Sequence, residues 1–340
     1  MYGKSLMNGL EHCYQQIYIK RQPKYVIGGT LETTGHLKEL KFYGGGGPVR
    51  GLCYKRFSSA TCINGNSCAC LEELINLNKN NTKHINHKLI HLLSDTNFLI
   101  LAYEGIKSKP GNSTKGSDSK ALDGINLNWF TTTSEQLKAG KYVFKPARRV
   151  SIPKAGSKTA KRVLTTSSPK DKIVQHAIYL ILNAIYEPTF LQCSHGSRPN
   201  KGSHTALKDL KFKFQGVKWC TEGDILCNFP SIDHKILLSI LSERIKCSKF
   251  LSIIKKCLKA GFKKNNKFLE SNKGLFQGSI TSPILNNIYL HQLDLFLDVE
   301  AKSFFKGKNR AKSPDYRRLS YQIEKAARDI PKLKKLRNER

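Results

Sequence analysis

The sequence predicts a helix-rich α+β fold, and two patterns carry that prediction. Apolar residues recur at helical spacing, as in Ile173, Ala177 and Ile181, then in Ile236, Leu237, Ile240 and Leu241. Strand-like runs interrupt the helical text at 142–152 and 218–229, each bounded by turn residues. A chain of 340 residues allows one large or two ordinary domains.

The elements follow in order. Residues 1–85 read as an irregular extension of unknown role. Gly44, Gly45, Gly46, Gly47 and Pro48 break it, and a polar run follows at 78–83. No strand precedes the four glycines and no Gly-Lys-Ser/Thr follows, so they read as a linker, not a phosphate loop. From 86 the text is organised, with Ile90, Leu92, Leu93, Phe98, Leu99 and Leu101 spaced for helical packing. A turn-rich loop covers 109–118, a short helix 134–139, and a strand 142–152 runs into Pro153 and Lys154. A helix over 171–186 is stopped by Glu187 and Pro188. Then come a turn at 194–199, a basic helix at 204–214, the strand 218–229, a helix capped by Ser231, and a basic amphipathic helix at 250–261. Ser282 and Pro283 start another helix, with Pro at its first position. The end, 332–340, is highly charged and predicts no packed element, and no internal repeat is visible.

Charge narrows the partners. Lys and Arg number 58 against 25 Asp and Glu, a net charge of +33, which attracts polyanions over long range, nucleic acid first among them. A basic structural protein of the ribosomal kind is the alternative. No apolar run approaches the roughly 20 residues that span a bilayer, and no membrane partner is expected. The cysteines are scattered. Cys62, Cys68 and Cys70 cluster, but at a spacing that matches no standard zinc pattern, so a reducing compartment is expected.

Three constellations carry chemistry. In the run 218–229, side chains two apart share a face, so Glu222 and Asp224 point one way while Gly223, Ile225 and Cys227 point toward packing. Asp224 then suits a divalent cation whose other ligands are phosphates and water, or it is an ordinary solvent-facing carboxylate. Gly274 to Pro283 places Gln277, a donor and an acceptor, beside glycines that let backbone approach a ligand; an ordinary capped loop is the other reading. Arg148, Arg149, Lys154, Lys158, Lys161, Arg162 and Lys170 surround an expected hairpin and form either a phosphate-binding platform or a solvated basic face.

Taken together and in order, the segments from about Leu92 to Leu319 resemble the reverse transcriptase of group II intron-encoded maturases of the mitochondrial-like type. Pro110 to Asp118 with Leu122-Asp123-Gly124-Ile125 resembles the family's N-terminal extension, placed at 86–145. Arg148 to Lys154, Asp171 to Gln175, Ile185-Tyr186-Glu187-Pro188, Ser194 to Pro199 and His204-Thr205-Ala206-Leu207 resemble its fingers motifs. Gly223-Asp224-Ile225 with Ile232-Asp233-His234, then Gln277 to Pro283 with Asn287 to His291, resemble its palm motifs.

The resemblance implies right-hand polymerase fingers and a partial palm over 146–340, an RNA-directed DNA polymerase ancestry, and two-metal nucleotidyl transfer with Mg²⁺. It implies that Asp224 is the catalytic metal ligand, with the Ile225 carbonyl beside it, and that Phe229 lies under the incoming sugar. Lys154 and Arg162 would contact the triphosphate, Gln277 and Gly278 would line the nucleotide pocket, and Arg148, Arg149, Lys170 and Arg198 would bind RNA. Group II intron RNA is the implied partner, with a DNA primer or target beside it, and the mitochondrion the implied location, with chloroplast or bacterial cytoplasm as alternatives. Several motifs depart from the family pattern: Phe229 is followed by Pro230, and Leu275-Phe276-Gln277-Gly278-Ser279 replaces Thr-Pro-Gln-Gly-Gly. Tyr-Ala-Asp-Asp, which carries the second catalytic carboxylates, does not occur in the 340 residues. The expectation is therefore a truncated, catalytically incomplete chain that keeps RNA binding, with a non-enzymatic splicing factor or a degenerate fragment as alternatives.

Overall fold

The computed structural model describes the strand Ile17–Ile19 and residues 66–325, apart from 110, 112–113, 119–121, 123–124, 154–160, 216, 218–219, 221, 265–266, 270 and 305–311. The fold is α+β and helix-rich, as the periodicities predict. The expected glycine linker at 44–48, Cys62, Lys154, Lys158 and the charged end at 332–340 lie outside the described residues.

The hub is helix α5, Pro169–Tyr186, reached after α1 (Asn66–Asn80), α2 (Leu89–Leu93), α3 (Thr96–Lys107) and α4 (Leu127–Lys138). Pro169 begins α5 where a missing N–H costs nothing, and no Gly or Pro interrupts it. Sixteen of its 18 residues are buried, so it is enclosed on all sides, and α1, α2 and α3 pack on it. The approach of α3 to α5 depends on Gly105: a Cβ there would lie 2.5 Å from Cε1 of His176, whose Nδ1 meets the Ala102 carbonyl at 2.9 Å.

The expectation of an irregular 1–85 fails at α1. Leu71 and Leu74 join the same core as Phe98, Ile181 and Phe250. A buried amide pair fixes α1 further. Asn78 and Asn86 exchange side-chain hydrogen bonds of 2.9 and 3.0 Å. Arg244 donates to Asn78 Oδ1 at 2.7 Å and to the Ile185 carbonyl at 2.8 Å, while its own carbonyl accepts from the Asn86 N–H at 2.8 Å.

The remaining helices are α6 (Ser203–Lys213), a short α7 (Asn228–Ser231), α8 (His234–Arg244), α9 (Ser248–Lys259) and α10 (Ser282–Phe304). Asp233 caps α8 by accepting from the Lys235 N–H at 2.7 Å, in place of the expected Ser231, whose hydroxyl turns back to the Asn228 carbonyl. A second compact unit, 295–340, contains the end of α10 and helix α11, Pro314–Lys325.

Strands β2 (Ala147–Pro153) and β3 (Lys161–Thr166) form an antiparallel hairpin in register Arg148↔Thr166 to Pro153↔Lys161. With β5 (Phe262–Lys264) and β6 (Lys267–Leu269) they make a four-stranded sheet of order β3-β2-β5-β6, in which β2 and β5 are parallel. Among the described residues of the long strand expected at 218–229, only β4, Gly223–Ile225, is strand. Cys227, in the left-handed region at φ 52°, turns the chain straight into α7. β4 pairs antiparallel with β1, Ile17–Ile19, in register Tyr18↔Asp224.

Candidate nucleic-acid interface

Asp224 sits mid-strand in β4, exposed, as is Glu222. Five residues on, Phe229 is half-buried in α7 and packs against the core. The expectation that Cys227 points into packing is not met, because the turn at 227 exposes it.

The segment after β6 clasps this turn through its backbone. Leu275 donates its N–H to the Phe229 carbonyl and Gly274 donates to Ile232, both at 2.7 Å. The Gly274 carbonyl meets His234 Nε2 at 2.8 Å. Gly274 has φ +83°, and a Cβ there would lie 2.7 Å from the Pro230 carbonyl, so the clasp needs glycine. Asn228 adds a side-chain bond to Asn286 of α10 at 2.9 Å.

The same segment then reaches the hairpin. The Thr165 N–H of β3 donates to the Gln277 carbonyl at 2.7 Å. Gln277 and Gly278 are exposed, and Phe276 meets Phe262 of β5 edge-on at 6.3 Å. A buried glutamine of α5 holds the loop from below: Gln175 Oε1 accepts from Ser279 Oγ at 3.2 Å, and its Nε2 donates to Ser167 Oγ at 3.1 Å. A continuous backbone path thus runs from Phe229 through Leu275 and Gln277 to Thr165, three places from Arg162 along β3.

The hairpin stands on a polar socket. Asp171 of α5 accepts from the Tyr142 hydroxyl at 2.7 Å and from the Lys145 N–H at 2.8 Å, just before β2. Burial raises its carboxyl to about 6, although both hydrogen bonds pull the other way. Asp118 receives Lys145 Nζ at 3.0 Å and Ser168 Oγ at 2.9 Å, and Ser117 donates to the Pro146 carbonyl. Both roots of the hairpin are therefore bonded to the 116–118 loop, where a Cβ on Gly116 would lie 2.6 Å from Ser168 Cα. The sequence marks these buttresses only as polar residues inside an apolar helical repeat, Asp171 and Gln175 among them.

The expected cations divide. Arg148 and Arg149 are exposed on β2, and the Arg149 guanidinium lies 4.1 Å from the Phe262 ring centroid. Lys170 is half-buried, its ammonium 5.6 Å from the Trp129 ring. Arg162 is described by its backbone alone, opposite Ile152. Arg198 is turned into the fold. It is 7% exposed, and its guanidinium donates to Glu187 at 2.9 Å and to the carbonyls of Leu191 and Ser194 at 2.7 and 2.8 Å. With Nε–H also on Glu187, four of its five N–H donors are engaged within the fold.

A Mg²⁺ site fits poorly on these residues. Among the described residues no three His, Cys, Asp or Glu side chains converge on one point, fewer protein ligands than an all-protein cation cage needs.

Comparison with known proteins gives the chain relatives. The family of reverse transcriptases (RNA-dependent DNA polymerases) matches residues 152–306. The group II intron-encoded protein LtrA of Lactococcus lactis is 36% identical over 265 residues, 78% of this chain and 44% of LtrA. A protein of COX1/OXI3 intron 2 in Saccharomyces cerevisiae is 37% identical over 281 residues, 82% of this chain and 33% of its own length. A 91 kDa protein in a cob intron of Schizosaccharomyces pombe is 40% identical over 248 residues, 72% of this chain and 30% of its own length. The chain thus spans from under a third to under a half of these relatives. Over that shared region it is, by homology, a relative of the group II intron-encoded reverse transcriptase/maturase family.

Proposed function

We propose that these residues are the fingers and part of the palm of a group II intron reverse transcriptase/maturase-like protein that binds intron RNA for splicing and mobility. One observation carries the reading: the backbone path Phe229–Leu275–Gln277–Thr165 joins in space three motifs that lie far apart in sequence. On this reading Asp224, with the Ile225 carbonyl, faces the incoming triphosphate, Phe229 lies under the sugar, and Gln277 and Gly278 line the nucleotide pocket. Lys154 and Arg162 face the triphosphate, while Arg148, Arg149 and Lys170 meet the RNA backbone. A DNA primer or target would lie beside the RNA, and the mitochondrion is the proposed site of action.

Among the described residues no three His, Cys, Asp or Glu side chains gather at Asp224, and Tyr-Ala-Asp-Asp does not occur in the 340 residues. The proposal for these 340 residues alone is RNA binding without polymerisation. Primer extension on an RNA template with Mg²⁺ tests it. A templated DNA product that disappears in Asp224→Ala would overturn the second half of the proposal. Loss of affinity for group II intron RNA with rising salt is expected, and a salt-independent affinity would overturn the first half. The absence of Tyr-Ala-Asp-Asp from the 340 residues favours a second reading, a non-enzymatic splicing factor. Stimulation of intron splicing in vitro by Asp224→Ala at the parent's level would support it.

A further inference from the structure

We propose that the exposed face of α9 is a second RNA-backbone interface, apart from the β2–β3 hairpin. At about 100° per residue, Lys249, Ser252, Lys255, Lys256 and Lys259 fall within an arc of about 120°. Phe250, Ile253, Ile254, Cys257 and Leu258 fill the opposite arc and are buried. The helix is therefore fixed by its apolar side, and its lysine stripe faces outward.

The stripe runs between two open concavities. One, of about 600 Å³, is lined by His87, Lys88, Lys138, Lys246 and Lys249 among others; the second, of about 560 Å³, by Val143, Lys255, Lys256, Lys259 and Phe268 among others. No acidic residue lines either one. Two of the lysines are already ordered by the last turn of α4 and the residues just after it. Lys256 donates to the Gly140 carbonyl at 2.6 Å, and Lys249 to the Lys138 carbonyl at 3.4 Å. Lys88, Lys138, Lys246, Lys255 and Lys259 have no side-chain hydrogen bond or ion pair among the described residues. Five unpaired ammonium groups around two acid-free hollows make a like-charge concentration that folding alone does not reward. A polyanion relieves it.

The chemistry favours RNA over an anionic membrane. The outward arc of α9 carries no apolar side chain to enter a bilayer. Phe268, 55% exposed at one end, offers a ring on which an unpaired base can stack. The helix is about 18 Å long, enough to follow several phosphates. This inference rests on the proposed RNA binding, but it assigns that binding to a different surface.

Lysine acetylation footprinting of the whole chain, read by mass spectrometry, tests it with and without a group II intron RNA. The variant Lys246→Gln/Lys255→Gln/Lys259→Gln leaves the two lysines bonded to the α4 end intact, and circular dichroism checks its fold. The expected result is RNA-dependent protection of Lys255 and Lys259, about tenfold weaker binding by the variant, and a log–log salt slope smaller by about two to three. Protection confined to Lys161 and Lys170, with the variant binding like the parent, overturns this inference alone. No RNA binding at all overturns both it and the reading it rests on. Protection by vesicles of phosphatidylserine and phosphatidylcholine but not by RNA assigns the stripe to a membrane and also overturns it.

Discussion

The Thr165 N–H donates to the carbonyl of Gln277 across 2.7 Å, so β3 and the loop after β6 share an edge. That bond sets the next residue. Gly278 has φ +112°, and a Cβ on it would lie 2.4 Å from the Thr165 carbonyl oxygen. Gly278→Ala is expected to lose more stability than backbone strain alone explains, about 2–4 kcal/mol. Gly111→Ala is the control: its φ is +86° but nothing lies within 4 Å, so strain acts alone, at about 1–2 kcal/mol. Urea denaturation of the two variants gives the difference, and equal losses would mean that the loop does not press on β3.

Arg198 leads to a separation of stability from binding. Its guanidinium is spent on Glu187 and two carbonyls, with its Cζ 5.3 Å from the Phe190 ring centroid. Arg198→Ala leaves Glu187 without its partner and is expected to cost about 3–5 kcal/mol. Arg148→Gln, on the exposed hairpin, should leave stability within about 0.5 kcal/mol and weaken RNA binding. If folded Arg198→Lys binds RNA as the parent does, the structural role stands; if it binds weakly at full stability, Arg198 faces RNA after all.

The comparison of Arg198 with Arg148 shows what the sequence could convey. Both stood in motif-like text, and nothing local told them apart, because burial of Arg198 depends on Glu187 and on the carbonyls of a turn. Helices were legible wherever one apolar stripe repeats, as in α5 and α9, since that periodicity is the packing itself. The strand at 218–229 was overread. Alternation continues through the run, but the left-handed Cys227 ends β4 after three residues, and positive φ at a non-glycine leaves no mark in composition. Helix α1 leaves little mark because its polar run contains Asn78, whose value lies in Asn86, beyond the helix, and in Arg244, 166 residues away. The order of the motifs was legible; their joining through Leu275 and Thr165 is a backbone fact that no side-chain pattern encodes.

Asn78 makes the tie of α1 to the rest testable. Its amide donates to Asn86 and to the Leu74 carbonyl, and its oxygen accepts from Asn86 and Arg244. Asn78→Ala strands Arg244 Nη2 and half of the Asn86 amide in a buried place, at about 2–3 kcal/mol. Asn86→Ala should cost a similar amount. Because the two amides serve each other, the double variant should lose clearly less than the sum of the single losses. Additive losses in chemical denaturation would mean that the amide pair is not a unit.

Two buried titrating groups on α5 set opposite pH trends. Burial raises Asp171 from 3.8 to about 6, against its bonds to Tyr142 and Lys145, with Asp118 nearby. Between about pH 4 and 6 the folded chain keeps a proton that the unfolded chain has lost, so this group makes stability fall as pH rises. Burial lowers His176 from 6.5 to about 4, opposed by its bond to the Ala102 carbonyl and aided by Lys109. From about pH 4 to 6.5 the unfolded chain holds the extra proton, so this group makes stability rise with pH. The two windows overlap, so the two trends offset one another in the parent. Asp171→Asn should therefore steepen the gain in stability from pH 4 to 6.5, and His176→Gln should turn that gain toward a loss, whatever each variant costs at one fixed pH. Urea midpoints across pH 4–7 measure both slopes, and profiles parallel to the parent's would show that neither group changes its proton affinity on folding.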